Sequence, residues 1–424
     1  MRAPTPNQPA RAESRPDVDL PALAAWIVFV GILAVWGAYL TSTLGSVRYA
    51  AKADEAWYLS YATELSTRGL GVFPELFTRY LGDPTAQIYP NPLRVLYLIV
   101  AAGWCEVFGA SFAALSGLSL ACHLLAALVT FAAARAHFGS ARALVLASLF
   151  AGSPLLSGLA RRALMDSFAT LTLVLAVWGV LAWSRDFASK KRAWLAGAAL
   201  FALLATKENH VLFLPAFGAY LTWAGFGRGA RVPWLSAAAV LGAPLALASC
   251  VFAFAAGGVE PVRELARVIL ASPATNDYAV QFGSGPWYRY VIDFVAISPW
   301  VTLAALAGVG SLLLGASVRG RGPLEFFVIF VVCGLTIFAL FTKNVRYLAG
   351  LELAWCALAT AFAFELGARF GARFALTLGL AFGAAACAFD VITFRAFFLV
   401  NELYDPISAA LLGLRDIVPF RAKK

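Results

Sequence analysis

Residues 161–192 read RRALMDSFATLTLVLAVWGVLAWSRDFASKKR. Two arginines and an aspartate precede an uncharged, mostly apolar run over 167–184, and Arg185, Lys190, Lys191 and Arg192 follow it. A run of that kind approaches the roughly 20 residues a helix needs to cross a bilayer, and it exceeds the length of a buried soluble strand. The stretch is therefore a membrane span with a polar mouth at its start and a basic cluster at its end.

The pattern repeats along the chain. Apolar runs occupy 22–44, 93–108, 111–134, 143–158, 167–184, 193–206, 210–227, 234–256, 290–315, 324–341, 347–368 and 374–394, with charges gathered in the short gaps between them. Over 424 residues 61% are hydrophobic and 13% charged, which excludes a water-soluble fold. The net charge of +10 does not mark a nucleic-acid binder, because the Lys and Arg are dispersed among the gaps and form no single basic patch. Cys105, Cys122, Cys250, Cys333, Cys356 and Cys387 all lie in apolar stretches without metal or redox spacing, and read as packed thiols without disulfides. Residues 1–20, rich in Pro and mixed charge, read as a disordered cytoplasmic tail.

Orientation follows from the basic gaps: Arg135 with Arg142, Arg185 with Lys190, Lys191 and Arg192, Arg228 with Arg231, Arg319 with Arg321, and Arg369 with Arg373. All five belong on the cytoplasmic side. With the N-terminus also inside, the first loop lies outside, and the first basic gap returns inside only if one of the next two runs fails to cross. The weaker is 93–108, which is short, opens on Pro92 and Arg94 and contains Glu106. It is expected to be an interfacial or half-inserted helix. The expected architecture is an all-α integral membrane protein, a polytopic bundle of about 11 transmembrane helices with interfacial helices in the first outside loop. The membrane module covers 21–394, with outside loops at 45–110 and 257–288 and a short outside tail at 395–424. Asp54, Glu55, Arg161, Arg162, Asp166, Lys207, Glu208, His210, Lys343 and Arg346 then share the non-cytoplasmic face.

Each part of that constellation has a chemical and a plainer reading. Asp54 and Glu55 stand where a carboxylate can deprotonate a hydroxyl or amine acceptor, or where acids favour the first turn of a helix. That helix has Tyr58, Tyr61, Ala62 and Leu65 on one face. Asp166 is an acid entering an apolar helix, functional or an N-cap. Lys207, Glu208 and His210 separate two short apolar runs, as a polar cavity requires, or form a plain turn with snorkelling side chains. Lys343 and Arg346 suit a phosphate, or anchor the interface together with Tyr347. The 257–288 loop has an amphipathic stretch and a Gly, Pro and aromatic segment fit for a flap over a site. His123 is expected to make a packing hydrogen bond within a span, and Asp390 to pair with Arg395.

The order of these motifs resembles a known family. The acidic pair after the first span, YPNPL at 89–93, RRALMD at 161–166, TKEN at 206–209 and KNVRY at 343–347 look like the GT-C glycosyltransferases. The similar branch contains dolichyl-phosphate-mannose protein mannosyltransferases and lipid A aminoarabinose transferases, and the likeness covers about 22–368. It implies inverting transfer of a sugar from a polyprenyl-phosphate carrier to an acceptor, at the outer surface of the membrane, in a bacterial inner membrane. In that reading Asp54 is the catalytic acid or base, Glu55 its partner and Asp166 the second acidic position. Arg161, Arg162, Lys207, Lys343 and Arg346 serve the donor phosphate. Tyr58, Arg79, Tyr89, Arg94, Glu208, His210 and Tyr347 are further substrate-binding candidates.

No cofactor is expected, and the carboxylates are able to hold a divalent ion or to act without one. The expected partners are the lipid-linked donor, an acceptor (lipid, glycan or protein) and membrane lipids, with no nucleic acid. Two departures stand out: Asn91 replaces the first proline of the family's Pro-Pro-Leu segment, and a short tail from about Arg395 to Lys424 is expected where many relatives carry a soluble C-terminal domain. The competing class is a transporter or lipid-linked sugar flippase, which would place polar groups near the midplane where here they gather at one face.

Overall fold

The computed structural model describes residues 19–44, 51, 53–275, 283, 285–314 and 322–402. Most of the two expected tails, and the gap holding Arg319 and Arg321, lie outside the described residues. Among the described residues there are helices and no strand. α1 (Ala22–Thr41) is followed by α2 (Asp54–Arg68), α3 (Phe73–Gly82), α4 (Val95–Phe108) and α5 (Phe112–Phe138). Next come α6 (Ser140–Gly152), α7 (Pro154–Ala160), α8 (Asp166–Ser184), α9 (Lys190–Thr206), α10 (Leu214–Thr222), α11 (Trp234–Ala255) and α12 (Val259–Thr275). The chain continues through α13 (Arg289–Ile297), α14 (Pro299–Leu314), α15 (Gly322–Phe338), α16 (Glu352–Ala368) and α17 (Ala372–Thr393).

Every apolar run of the sequence is helical. Among the described residues six helices are long and apolar enough to cross a membrane, or seven if α6 and α7, bent by 54°, form one span. The bend has a local cause, since Pro154 cannot continue the hydrogen bonding of α6 and Ser153 caps α7 instead. Gly139, at φ 84°, ends α5 in a conformation that costs glycine little and lets α6 begin at once.

Side-chain contacts sort the turns into two ends. At one, Asp19 ahead of α1 accepts from the N–H groups of Ser140 and Ala141 at 2.9 and 2.8 Å, capping α6. Arg185 donates to the Ala136 carbonyl there. Ser184 meets Tyr220 at 3.0 Å, Arg228 pairs with Glu325 at 3.6 Å, and Arg142 lies over the Phe364 ring. The basic gaps within the described residues thus gather at this end. At the other, Arg161 donates to the carbonyls of Thr43 and Phe398 at 3.2 and 2.9 Å, and Ser119 to that of Leu164 at 2.7 Å. Among the described residues eleven helical segments run from one end to the other, counting α6–α7 and α13–α14 as one each.

α4 is not among them. It begins at Arg94 beside Tyr58 and Glu208, and near its far end Trp104 donates to the Ala114 carbonyl in the first turn of α5 at 2.8 Å. Both ends of α4 therefore lie toward the Arg161 end of the bundle.

The centre is formed by α8 and α16, buried on nearly every side. α1, α11 and α17 are peripheral and expose Val35, Leu235, Phe254 and Ile392, as expected of helices that face lipid. Small residues bring backbones together: a methyl group on Gly308 of α14 would fall 2.9 Å from the Leu358 carbonyl of α16. His123 meets the Ala151 carbonyl at 2.9 Å, a packing hydrogen bond. Asp390 does not pair with Arg395. It is buried and accepts from Ser298 through both oxygens, at 2.7 and 2.9 Å. Arg395 lies in the π-helical turn Phe394–Val400 that follows α17 and is exposed, while Asp390 faces the core.

Candidate functional site

Five segments converge at the Arg161 end. α2 starts at Asp54, which places Asp54 and Glu55 in its first turn while Tyr58, Tyr61, Ala62 and Leu65 are buried as its inner face. The 161–166 turn leads into α8. The connection between α9 and α10 carries Lys207, Glu208 and His210. Arg94 opens α4. The 3-10 helix Val345–Leu351 carries Arg346 and Tyr347, and Asn344 caps it by accepting from the Arg346 N–H at 2.9 Å.

Arg346 meets Asp54, 292 positions before it in sequence, and Asp166, 180 before it. Its Nη2 lies 2.9 Å from Asp166 Oδ2 and 3.2 Å from Asp54 Oδ2, and its Nε 3.3 Å from Asp166 Oδ2. The other oxygen of Asp166 accepts from Lys207 Nζ at 3.0 Å, and Lys207 also lies 5.2 Å from the centre of the Tyr347 ring. Arg162 holds Glu55. Arg94 meets Glu208 at 3.4 Å, donates to the Tyr58 hydroxyl and stacks over its ring. Asn91 donates to Glu208 at 3.1 Å and accepts from the Leu93 N–H at 3.0 Å. The departure from Pro-Pro-Leu therefore supplies both a turn and a partner for Glu208. Each carboxylate in this layer faces a cation, as burial of charge requires.

Burial shapes the charges of the α9–α10 connection. It drives the Lys207 ammonium below its ordinary value, with Asp166 opposing and Arg94 and Arg346 adding to the drop. Burial would raise Glu208, but the Arg94 charge, a backbone N–H and the Arg94 hydrogen bond carry it below the usual carboxylate range. His210 is pushed down to about 3, first by burial and then by Lys207. Its Nδ1 lies 3.1 Å from the Leu203 carbonyl, which can only accept, so the neutral ring carries its proton there. Beneath the charged layer a narrow cleft is lined by Asp166, Thr170, Lys207, His210, Arg346 and Tyr347, with room for about one water molecule.

Not every residue singled out from the sequence joins the layer. Arg161 instead ties the turn to Thr43 and Phe398. Arg79 pairs with Glu64 at 2.7 Å on the exposed side of α2 and α3. Tyr89 stacks on Trp57 with ring centres 5.2 Å apart. Lys343 is partly exposed beside the site, and burial together with the Arg289 charge lowers its pKa. Three residues were not singled out: Thr170 in the cleft, and Arg289 and Tyr290, of which Tyr290 accepts from the Asn344 N–H at 3.2 Å. Only the charge of Arg289 beside the aromatic segment 287–290 would have marked them. Among the described residues no group of three or more His, Cys, Asp or Glu side chains converges as a metal cage would.

Comparison with known proteins agrees with the helical architecture. The dolichyl-phosphate-mannose-protein mannosyltransferase family model matches residues 91–252, less than half of the chain, and no curated protein sequence matches. The oligosaccharyltransferase AglB of Archaeoglobus fulgidus, solved with an inhibitory peptide and a dolichol-phosphate, superposes with a TM-score of 0.55 at 14% identity. That match covers 87% of this chain and 55% of AglB, so the chain spans little more than half of that protein. ArnT of Cupriavidus metallidurans bound to undecaprenyl phosphate superposes at 0.50 with 16% identity, over 89% of this chain and 79% of its own. In architecture, then, this chain has the GT-C fold of the membrane glycosyltransferases.

Proposed function

We propose that the protein is a glycosyltransferase that moves a sugar from a polyprenyl-phosphate carrier to an acceptor hydroxyl or amine, with inversion, on the non-cytoplasmic side of a bacterial plasma membrane. The observation that carries the reading is the bridge from Arg346 to both Asp54 and Asp166, with Lys207 beside it. Two carboxylates and two cations meet at the end of the bundle opposite the basic gaps. A transporter would place such groups near the midplane.

The chemistry suits the parts. The acceptor oxygen or nitrogen attacks the anomeric carbon, its proton passes to Asp54, and the bond from that carbon to the phosphate oxygen breaks with its electron pair. The leaving phosphate needs cations and little general-acid help, and Arg346, Lys207 and Lys343 are placed to supply them. Asp166, at 1% side-chain exposure, holds Lys207 and Arg346 in position, whereas Asp54 at 31% is open to an acceptor. Arg94, Glu208, Tyr58 and Tyr347 shape the surrounding wall. The reading invokes no cofactor, and the dolichol-phosphate and undecaprenyl phosphate of the two superposed structures support a lipid-phosphate donor.

The test is turnover of radiolabelled polyprenyl-phosphate sugars by purified protein against candidate acceptors, comparing wild type with Asp54→Asn. Loss of a general base predicts about a 10²–10⁴-fold fall in rate with the fold retained. Full activity of the folded variant would remove Asp54 from the mechanism.

A further inference from the structure

The charged layer is closed upon itself in this structure. The cleft behind Arg346 has room for about one water molecule, and the guanidinium that a donor phosphate needs already holds two carboxylates. The two are not held alike. Asp166 is buried, lies 2.9 Å from Arg346 Nη2 and is gripped from its other oxygen by Lys207. Asp54 is partly exposed and reaches Nη2 at 3.2 Å, its one ion pair among the described residues. An incoming anion would therefore exchange with Asp54, the solvated and singly held partner, and leave the Asp166 pair in place.

We propose that the Asp54–Arg346 ion pair is a latch that the donor phosphate displaces: the phosphate takes the place of the Asp54 carboxylate on Arg346, opens the cleft and frees Asp54 to receive the acceptor proton. The proposal rests on the glycosyltransferase reading above and adds an order to it. A phosphate offers the guanidinium several oxygens in the forked geometry it binds best, whereas Asp54 offers one. The base is thus engaged while the site is empty and becomes available once the donor is seated. Lys343, partly exposed three residues before Arg346, stands where an arriving phosphate first meets positive charge.

The experiment measures equilibrium binding of radiolabelled undecaprenyl phosphate to the full chain in nanodiscs. It compares wild type, Asp54→Asn, Asp54→Ala, Arg346→Gln and the Asp54→Asn/Arg346→Gln double variant, each checked for folding by size exclusion and thermal unfolding. Arg346→Met replaces Arg346→Gln if the latter does not fold, and either Asp54 variant suffices alone. The latch predicts at least fivefold tighter binding on loss of Asp54 and at least tenfold weaker binding on loss of Arg346. It also predicts that the gain from Asp54→Asn vanishes in the Arg346 variant. Unchanged or weaker binding by the Asp54 variants, with dependence on Arg346 intact, overturns the latch and leaves the donor reading standing. A gain that persists without Arg346 reports simple charge repulsion and overturns it equally. Binding indifferent to Arg346 overturns the phosphate assignment itself, and the latch with it.

Discussion

Arg162 holds one oxygen of Glu55 with two nitrogens, Nε at 2.6 Å and Nη2 at 2.5 Å, and both side chains are almost fully buried. This contact ties the start of α2 to the turn before α8, and so places Asp54 against Arg346. We infer that this pair acts as a strut, beside the catalytic and phosphate-binding roles that family resemblance implies for Glu55 and Arg162. Removing one member of a buried pair strands the other and costs about 3–5 kcal/mol. Glu55→Gln and Arg162→Met should each lower the unfolding midpoint in detergent sharply, and the Glu55→Gln/Arg162→Met double variant should lower it less than their sum. A Glu55→Gln protein of wild-type stability but without turnover would return Glu55 to the chemistry.

Asn91 performs two tasks that a proline could not, accepting from the Leu93 N–H and donating to Glu208. Each hydrogen bond contributes about 1 kcal/mol net, and more where the partner is charged. Asn91→Ala should therefore cost about 1–3 kcal/mol of stability, with Arg94 still compensating Glu208. In a double-mutant cycle with Glu208→Met, which removes the acceptor, the two losses should be non-additive, since they share a contact. Strict additivity would show that the Asn91–Glu208 bond does not form.

The helices were legible in the sequence because a bilayer leaves the chain few options: each span needs a long apolar run, and all twelve runs became helices. Charge parity put Asp54, Asp166, Lys207 and Arg346 on one face, and in the structure they meet. The pairings were not legible. Which cation meets which acid depends on helix rotation and depth, and neither leaves a trace in local spacing. Arg79 has the composition of a site residue yet serves Glu64, and Asp390 chose Ser298 over a nearby arginine. Arg289 stayed hidden for the same reason, since only packing carries it to Lys343.

His210 supplies a pH signature. Its folded-state pKa is about 3, against roughly 6.5 in an unfolded chain. Between those values the unfolded protein binds a proton that the folded protein does not. The contribution of His210 is thus fully present above about pH 6.5 and is lost as pH falls toward 3, by up to about 1.4 kcal/mol per pH unit. His210→Asn keeps a donor for the Leu203 carbonyl and removes the titration. Between pH 6.5 and 5, above the carboxylate range, unfolding free energies in detergent should fall more steeply for wild type than for the variant. Parallel curves would mean that His210 is charged or exposed in the folded protein.

The two-ended arrangement makes a prediction about sidedness. Positive-inside bias places the end bearing Arg135, Arg185, Lys190 and Arg228 in the cytoplasm, and hence Asp54 and Asp166 outside, where a donor already carried across the membrane would be found. Thr85 and Lys190 are exposed residues at the two ends. With the exposed native Cys250 replaced by alanine, a membrane-impermeant maleimide applied to intact bacterial cells should label a Thr85→Cys protein at once. A Lys190→Cys protein should be labelled only after permeabilisation. Labelling of both from outside would break the alternation of the eleven passes. Labelling in the reverse sense would keep the fold but turn the charged layer toward the cytoplasm, where the donor would have to be reached before it crosses the membrane.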